Sequence, residues 1–199
     1  GSGFGGRLTG EVTAFLLERR DAQVRDSAGF GGNYRFFTAN ANDARVYGLE
    51  AAGTLALTRT WSLHGALARM ESSLDSFTLT NGNTGGGRRL ANTPRHGYTL
   101  GARYRAETGF FGQAELTGRA AQFDSNNQNE SRRAFAVLNG SVGYAWRAWT
   151  FTLWGRNLLD RRYENRVFFF GNEDPDYIEK RYESRADPRQ IGVTAAYRF

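Results

Sequence analysis

The sequence predicts an all-β fold, the wall of an antiparallel up-and-down transmembrane β-barrel with eight strands, and three observations predict it. Apolar and polar residues alternate with period two over segments longer than ordinary soluble strands. The connections alternate between very short and long. Aromatic residues gather where the strands meet the short connections.

From the N-terminal end, the first segment runs from Arg7 to about Arg25 and puts Leu8, Val12, Ala14 and Leu16 on one side. The next aligns Tyr47, Leu49, Ala51, Leu55 and Leu57, and a turn at Thr58-Arg59-Thr60 leads to Trp61, Leu63 and Leu67. Tyr98, Leu100, Ala102 and Tyr104 then alternate with Thr99, Gly101, Arg103 and Arg105. Glu107-Thr108-Gly109 turns the chain into a segment from Phe110 to Phe123, whose polar face holds Gln113, Glu115, Thr117 and Arg119. Leu138, Val142, Tyr144 and Trp146 pass through a tight Trp146-Arg147-Ala148-Trp149 turn to Trp149, Phe151 and Leu153, with Thr150, Thr152, Trp154 and Arg156 opposite. The last segment sets Ile191, Val193, Ala195, Tyr197 and Phe199 against Gln190, Gly192, Thr194, Ala196 and Arg198. In each, one face suits lipid and the other water.

Long polar or Gly-rich stretches fall at about 26–42, 76–90, 124–132 and 166–187. Short turns on one rim and long loops on the other are the mark of bacterial outer-membrane barrels, whose short side faces the periplasm. Trp61, Phe110, Phe111, Trp146, Trp149, Tyr197 and Phe199 lie near the short turns and are expected to form the aromatic girdle at headgroup level. Gly65, Ala114, Gly118, Gly140 and Gly155 share those faces and would leave a two-sheet soluble core poorly filled.

Composition removes other classes. No run of about 18 apolar residues exists, so no transmembrane helix is expected. Mean hydropathy is −0.58, cysteine is absent, and 25 glycines stand against 3 prolines. Lack of cysteine excludes disulfide scaffolds and thiolate metal sites. The net charge of +6 comes from scattered basic residues, all arginine except Lys180. Scattered arginine suits a polar lumen or lipopolysaccharide phosphates, and no nucleic-acid partner is expected. The opening Gly1-Ser2-Gly3-Phe4-Gly5-Gly6 carries no Met, basic stretch or apolar stretch, consistent with processing or truncation.

Four motifs in order carry a family resemblance: Ala44-Arg45-Val46-Tyr47-Gly48-Leu49-Glu50; Asn92-Thr93-Pro94-Arg95-His96; Trp154-Gly155-Arg156-Asn157-Leu158-Leu159-Asp160-Arg161-Arg162-Tyr163; and Asp187-Pro188-Arg189-Gln190-Ile191-Gly192 running to Tyr197-Arg198-Phe199. Together they resemble the TonB-dependent outer-membrane receptors over residues 44–199, and residues 1–43 fit by strand pattern. The resemblance implies that residues 1–199 are the C-terminal segment of a barrel of about 22 strands, with the plug domain and the remaining strands outside this sequence. It implies energised uptake of a siderophore-like metal chelate or other scarce nutrient at the bacterial outer membrane. It further implies contact with TonB through the missing N-terminal region, and contacts with lipid and lipopolysaccharide. Gly192, Tyr197 and Phe199 resemble the signal read by the barrel-assembly machinery.

Candidate chemistry is sparse. Ligand contact is expected on the last long loop, where Phe168, Phe169, Phe170 and Tyr177 could stack on a chelator. Glu173, Asp174 and Asp176 have oxygens at calcium-compatible spacing but lack the EF-hand loop, so no metal site and no cofactor are expected. His64 and His96 lie on separate segments without a nucleophile pattern, so no enzymatic activity is expected. His64 reads as a lumen-lining residue, and Glu11 and Glu115 with Arg103, Arg105 and Arg119 as lumen or plug-facing ion pairs. Asn157 and Asp160 are expected to hydrogen-bond neighbouring strand backbone or lumen arginines, and Gly48 and Gly192 to admit a close neighbour or the plug. Rival readings are a self-contained eight-stranded outer-membrane barrel with a structural or adhesion role, which inward arginines would crowd, and a soluble ligand-binding β-barrel.

Overall fold

A computed structural model describes residues 2–3, 5–28, 35–171, 173–178 and 180–199. In chain order the strands are β1 (Ser2–Gly3), β2 (Leu8–Arg19), β3 (Gln23–Ala28), β4 (Arg35–Asn40), β5 (Ala44–Ala56), β6 (Trp61–Leu74), β7 (Phe77–Thr78), β8 (Thr84–Gly85) and β9 (His96–Arg105). They continue as β10 (Phe110–Arg119), β11 (Gln122–Phe123), β12 (Ser131–Arg132), β13 (Phe135–Trp146), β14 (Trp149–Arg156), β15 (Glu164–Phe170), β16 (Lys180–Arg185) and β17 (Gln190–Tyr197). No helix occurs among the described residues.

The wall is one sheet in the order β1-β2-β5-β6-β9-β10-β13-β14-β17, and every neighbouring pair is antiparallel. Its two ends do not meet, so the wall is an open arc. Register follows the side-chain pattern, since a slip by one residue would turn every apolar side chain to the wrong face. Val12 stands opposite Ala51 and Leu55 opposite Leu63. Further along the arc, Leu100 opposes Leu116 and Leu153 opposes Val193.

The short turns have local causes. At the first, Thr58 Oγ1 accepts from the Thr60 N–H (3.1 Å) and the Trp61 N–H (2.9 Å), and the Leu57 N–H closes on Trp61 O. Gly109 at φ 93° closes the second, a conformation that costs glycine nothing. At the third, Trp146 pairs Trp149 across a two-residue turn in which Arg147 takes φ 53°.

The sheet has no dry side. On its outward face Val12 is 75% exposed and Val193 74%. The buried apolar cluster of Ala22, Val24, Ala41, Ala44, Leu74, Phe77 and Leu79 lies at the long-loop end instead. Each long connection also carries its own two-stranded hairpin, β3–β4, β7–β8, β11–β12 and β15–β16, where the sequence pattern had only polar stretches. Residues 29–34 of the first connection lie outside the described residues.

Two segment bounds differ from the sequence reading. The first strand ends at Arg19, because Asp21 turns at φ 50° and Ala22 exchanges backbone hydrogen bonds with the 41–42 region, starting a separate hairpin. The segment expected to run to Phe123 stops at Arg119, where the Ala120 N–H closes on His96 O. Gln122 and Phe123 then pair with β12.

Candidate functional site

The inner face of the wall is polar and repeats one packing device. Directly opposed pairs place a ring over a glycine on the next strand: Phe15 over Gly48, His64 over Gly101, Phe111 over Gly143 and Trp154 over Gly192. A Cβ at any of these glycines would collide with the ring. Gly48 and Gly192 therefore admit a neighbouring strand's side chain. Trp154 also donates from Nε1 to Thr194 Oγ1 at 3.1 Å.

Lying across Gly101, His64 brings Nε2 to 3.3 Å from Glu115 Oε2, two strands away. The expected lumen ion pairs of Glu11 and Glu115 with Arg103, Arg105 and Arg119 do not form among the described residues. Glu115 takes His64, and Arg119 instead donates to Ala120 O (3.3 Å) and lies 4.8 Å from the Phe135 ring centroid. His96, at the start of β9, is exposed and offers its backbone carbonyl to Ala120. Phe111 is on this inner face too, because the residue opposite it is Gly143; the sequence reading had put it in the outward girdle.

Where β14 reaches the loop rim, the Asn157-Leu158-Leu159-Asp160 segment ties three strands together. Asn157, 6% exposed and at φ 47°, donates from Nδ2 to Arg161 O (3.0 Å) and Asp187 O (3.1 Å). Its Oδ1 accepts the Arg161 N–H at 2.8 Å, and its own N–H donates to Asn139 Oδ1 at 2.9 Å. Asp160 at φ 49° accepts the Arg189 N–H at 3.0 Å. Asn and Asp suit both the left-handed backbone and the local hydrogen bonds. The partners are backbone groups, not lumen guanidinium groups, and Leu158 fills the outer surface above Gly140 and Gly155.

Above the rim the first three loops are locked together. Buried Asp26 accepts hydrogen bonds from the Thr80 N–H (3.0 Å), Thr80 Oγ1 (2.9 Å) and the Ser27 N–H (2.7 Å). Burial pushes its carboxyl up, but these hydrogen bonds outweigh that and hold it below the usual carboxylate range. Arg88 crosses from the second loop to the third, donating to Asn129 Oδ1 (2.8 Å), Ser125 O (3.0 Å) and Gln128 O, with its guanidinium 4.2 Å from the Phe123 ring centroid. Arg132 joins Asp124, Asn92 Oδ1 (2.7 Å) and Asn165 O. Sequence reading missed this lock, since its members are ordinary loop residues until the hairpins fold.

The fourth hairpin carries its own charge ladder. Arg181 pairs with Glu164 (2.7 Å) and Glu183 (2.6 Å), and Glu183 with Arg185 (2.9 Å). Glu173 is taken by Lys180 and by Tyr182 Oη at 2.9 Å, and these hydrogen bonds lower its carboxyl. Phe168 stacks on Tyr182 at 6.0 Å, which engages one expected ligand aromatic in the hairpin itself. Phe169 is half-buried and Tyr177 exposed, while the Phe170 side chain and Asn172 lie outside the described residues.

On the outward face near the short turns, Trp61 lies 4.9 Å from Tyr104, Phe110 4.5 Å from Tyr144, and Trp149 5.0 Å from Tyr197. Tyr197 meets Phe199 at 5.5 Å, and Trp146 is exposed beside Trp149.

An open antiparallel meander with an apolar exposed outside, a polar inside, short turns on one rim and folded loops on the other has the architecture of a β-barrel wall. The family model for the TonB dependent receptor-like β-barrel matches residues 2–158, and the chain belongs to that family. Among solved structures it is similar to the ferric yersiniabactin uptake receptor FyuA from Yersinia pestis, with TM-score 0.75 at 17% identity over 97% of this chain and 28% of that one. The siderophore receptor PiuA from Acinetobacter baumannii gives 0.73 at 16% identity, over 98% of this chain and 26% of that one. The copper transporter OprC gives 0.74 at 14% identity, over 98% and 30%. The chain thus spans between a quarter and a third of the length of these structures.

Proposed function

We propose that this chain is the C-terminal part of the barrel of an outer-membrane TonB-dependent receptor, and that the complete receptor takes up a siderophore-like metal chelate or other scarce nutrient with energy delivered through TonB. The observation that carries this is the family match over residues 2–158, joined to a sheet whose apolar face is exposed along the wall. The open arc favours a larger pore over a self-contained eight-stranded barrel with a structural or adhesion role. Residues 1–199 supply pore wall and extracellular loops. The plug, the remaining strands and the TonB contact belong to other parts of the receptor, and the chain itself performs no enzymatic step. Trp61, Phe110, Trp146, Trp149, Tyr197 and Phe199 form the periplasmic girdle, and the terminal strand with Gly192, Tyr197 and Phe199 addresses the barrel-assembly machinery. Phe169 and Tyr177 reach toward the ligand from the fourth hairpin.

Deleting the gene that carries this segment, then restoring it in intact or substituted form, tests the reading. Cells starved of iron should lose energised uptake of one ferric chelate on deletion and regain it only when TonB is present. The Phe169→Ala, Tyr177→Ala double variant should lower binding of that chelate. Uptake that is indifferent to the deletion or to TonB would overturn the receptor role. Unchanged binding by the double variant would remove only the loop assignment.

A further inference from the structure

The inner face carries charge that its own strands do not neutralise. From β9 to β14 that face holds Arg103, Arg105, Arg119 and Arg156 against a single acid, Glu115. Glu115 is already taken by His64, at 3.3 Å. Arg103, Arg105 and Arg156 are exposed, and among the described residues none of the three meets a carboxylate. A concave wall lined by one sign of charge gathers ligands of the other.

Strand register gathers two of these arginines around one depression of about 340 Å3. Arg103, Gln113, Ser141 and Trp154 stand opposite one another in a row across β9, β10, β13 and β14. The next row toward the loops begins with His64 lying over Gly101 and continues through Glu115 and Asn139 to Arg156. Long side chains thus stand at both ends of the two rows, with shorter ones between them, and give the depression two banks and a floor. On the side of the short turns Phe111 lies across Gly143 and closes it. Arg156 is kept on its own bank, its guanidinium 5.5 Å from the Trp154 ring centroid. The banks are three strand spacings apart, about 14 Å at the backbone, so a ligand held by both guanidiniums must carry its charge on separated groups.

We propose that this depression is a binding site for a polycarboxylate on the pore wall, and that the chelate taken up belongs to that anionic class. Arg103 and Arg156 each offer paired donors to one carboxylate. Gln113 and Ser141 supply neutral hydrogen bonds on the floor, and the Trp154 ring gives the ligand an apolar surface to rest on. The inference rests on the uptake reading above and deepens it, since it adds a stop inside the pore to the capture assigned to the loops.

The test uses the complete receptor in mild detergent, titrated calorimetrically with tricarballylate, a metal-free tricarboxylate, and with inorganic phosphate, whose charge sits on one centre. Tricarballylate should bind about tenfold more tightly than phosphate, the gain expected from one added charge-assisted contact. Arg103→Gln with Arg156→Gln should remove that preference, and Ser141→Leu, which raises the floor with both arginines in place, should abolish binding. Arg105→Gln lies outside the depression and should change the affinity by no more than about twofold. In iron-starved cells the double arginine variant should take up the ferric chelate about tenfold more slowly while capturing it at the surface as before. No tricarballylate binding, as when another part of the receptor fills the depression, overturns the proposal; so do equal affinity for phosphate, and binding or uptake unchanged in the double variant. The two readings fail separately: a receptor that takes up its chelate with TonB but does not bind tricarballylate loses only the wall site, whereas one that binds tricarballylate and whose deletion leaves uptake untouched loses the receptor role.

Discussion

Replacing Asn157 by alanine should unlock the rim between β14 and β17. Three side-chain hydrogen bonds disappear, two from Nδ2 to the Arg161 and Asp187 carbonyls and one from the Arg161 N–H to Oδ1. At about 1 kcal/mol each they amount to about 3 kcal/mol, and holding alanine at the left-handed φ of 47° adds about 1 kcal/mol. The local opening free energy should therefore fall by about 4 kcal/mol, a change of roughly a thousandfold in the exchange of the Arg161 amide with deuterated solvent. The wall ladder on either side is untouched, so amides in the middle of β13 and β14 should keep their protection. Asn157→Gly separates the two contributions, because glycine accepts the backbone conformation and loses only the hydrogen bonds; it should recover about 1 kcal/mol of the loss. Asn157→Asp keeps an acceptor for the Arg161 N–H but points a carboxylate at two carbonyls, and should be worse than glycine at neutral pH. Exchange at Arg161 within about threefold of the parent protein in the alanine variant would show that the Asn157 side chain is not what closes this rim.

Two further outcomes follow from the loops and the inner face. Asp26 titrates below its unfolded value of about 3.9, so its lock on Thr80 is fully present above that pH and is lost as pH falls through the lower folded value. Protection of the Thr80 amide should hold from neutral pH down to about 4 and then collapse, and Asp26→Asn should flatten this acid limb; an unchanged limb refutes the assignment. Gly192→Val places side-chain atoms inside the Trp154 ring and should lower the stability of the wall in urea by about 1–3 kcal/mol. Trp154→Ala in the same chain should restore part of that loss, and simple additivity would mean the two residues do not interact.

The wall was legible in the sequence because period-two alternation and turn chemistry are local signals. Val12, Leu55, Leu63 and Val193 need only their own neighbours in sequence to declare a face. The girdle assignment fails at Phe111 because it groups two adjacent rings by bulk, although alternation with Gln113 and Glu115 already puts Phe111 on the polar face. Tyr144 and Gly143 on the next strand agree, since a ring fits over the glycine on one face and beside the tyrosine on the other. The loops were illegible for a different reason. Asp26 reaches Thr80 across 54 residues, and Asn127 reaches Arg25 O across 102. No pattern within a segment encodes such partners, and Asp, Thr, Asn and Arg are what any solvated loop contains.

Opposed ring and glycine pairs show how a one-sheet wall stays ordered without a core. A soluble sheet packs its large side chains against a second layer; among the described residues this wall has none on its inner face. Phe15, His64, Phe111 and Trp154 each lie sideways across the neighbouring strand, and a glycine opposite each one leaves the space. These four inward-facing seats fall on strand pairs joined by a long loop, β2–β5, β6–β9, β10–β13 and β14–β17, while on the outward face Tyr98 sits over Gly118 in the turn-joined pair β9–β10. The long-loop pairs lack a tight turn to set their register, whereas the pairs joined at Thr58, Gly109 and Arg147 have one. A ring seated over one particular glycine loses its seat if the strands slip by a residue, because the slip brings a side chain under the ring. The inward-facing glycines therefore add register information to strand pairs that no tight turn aligns. Filling any one of them should disturb its own hairpin more than the turn-joined pairs beside it.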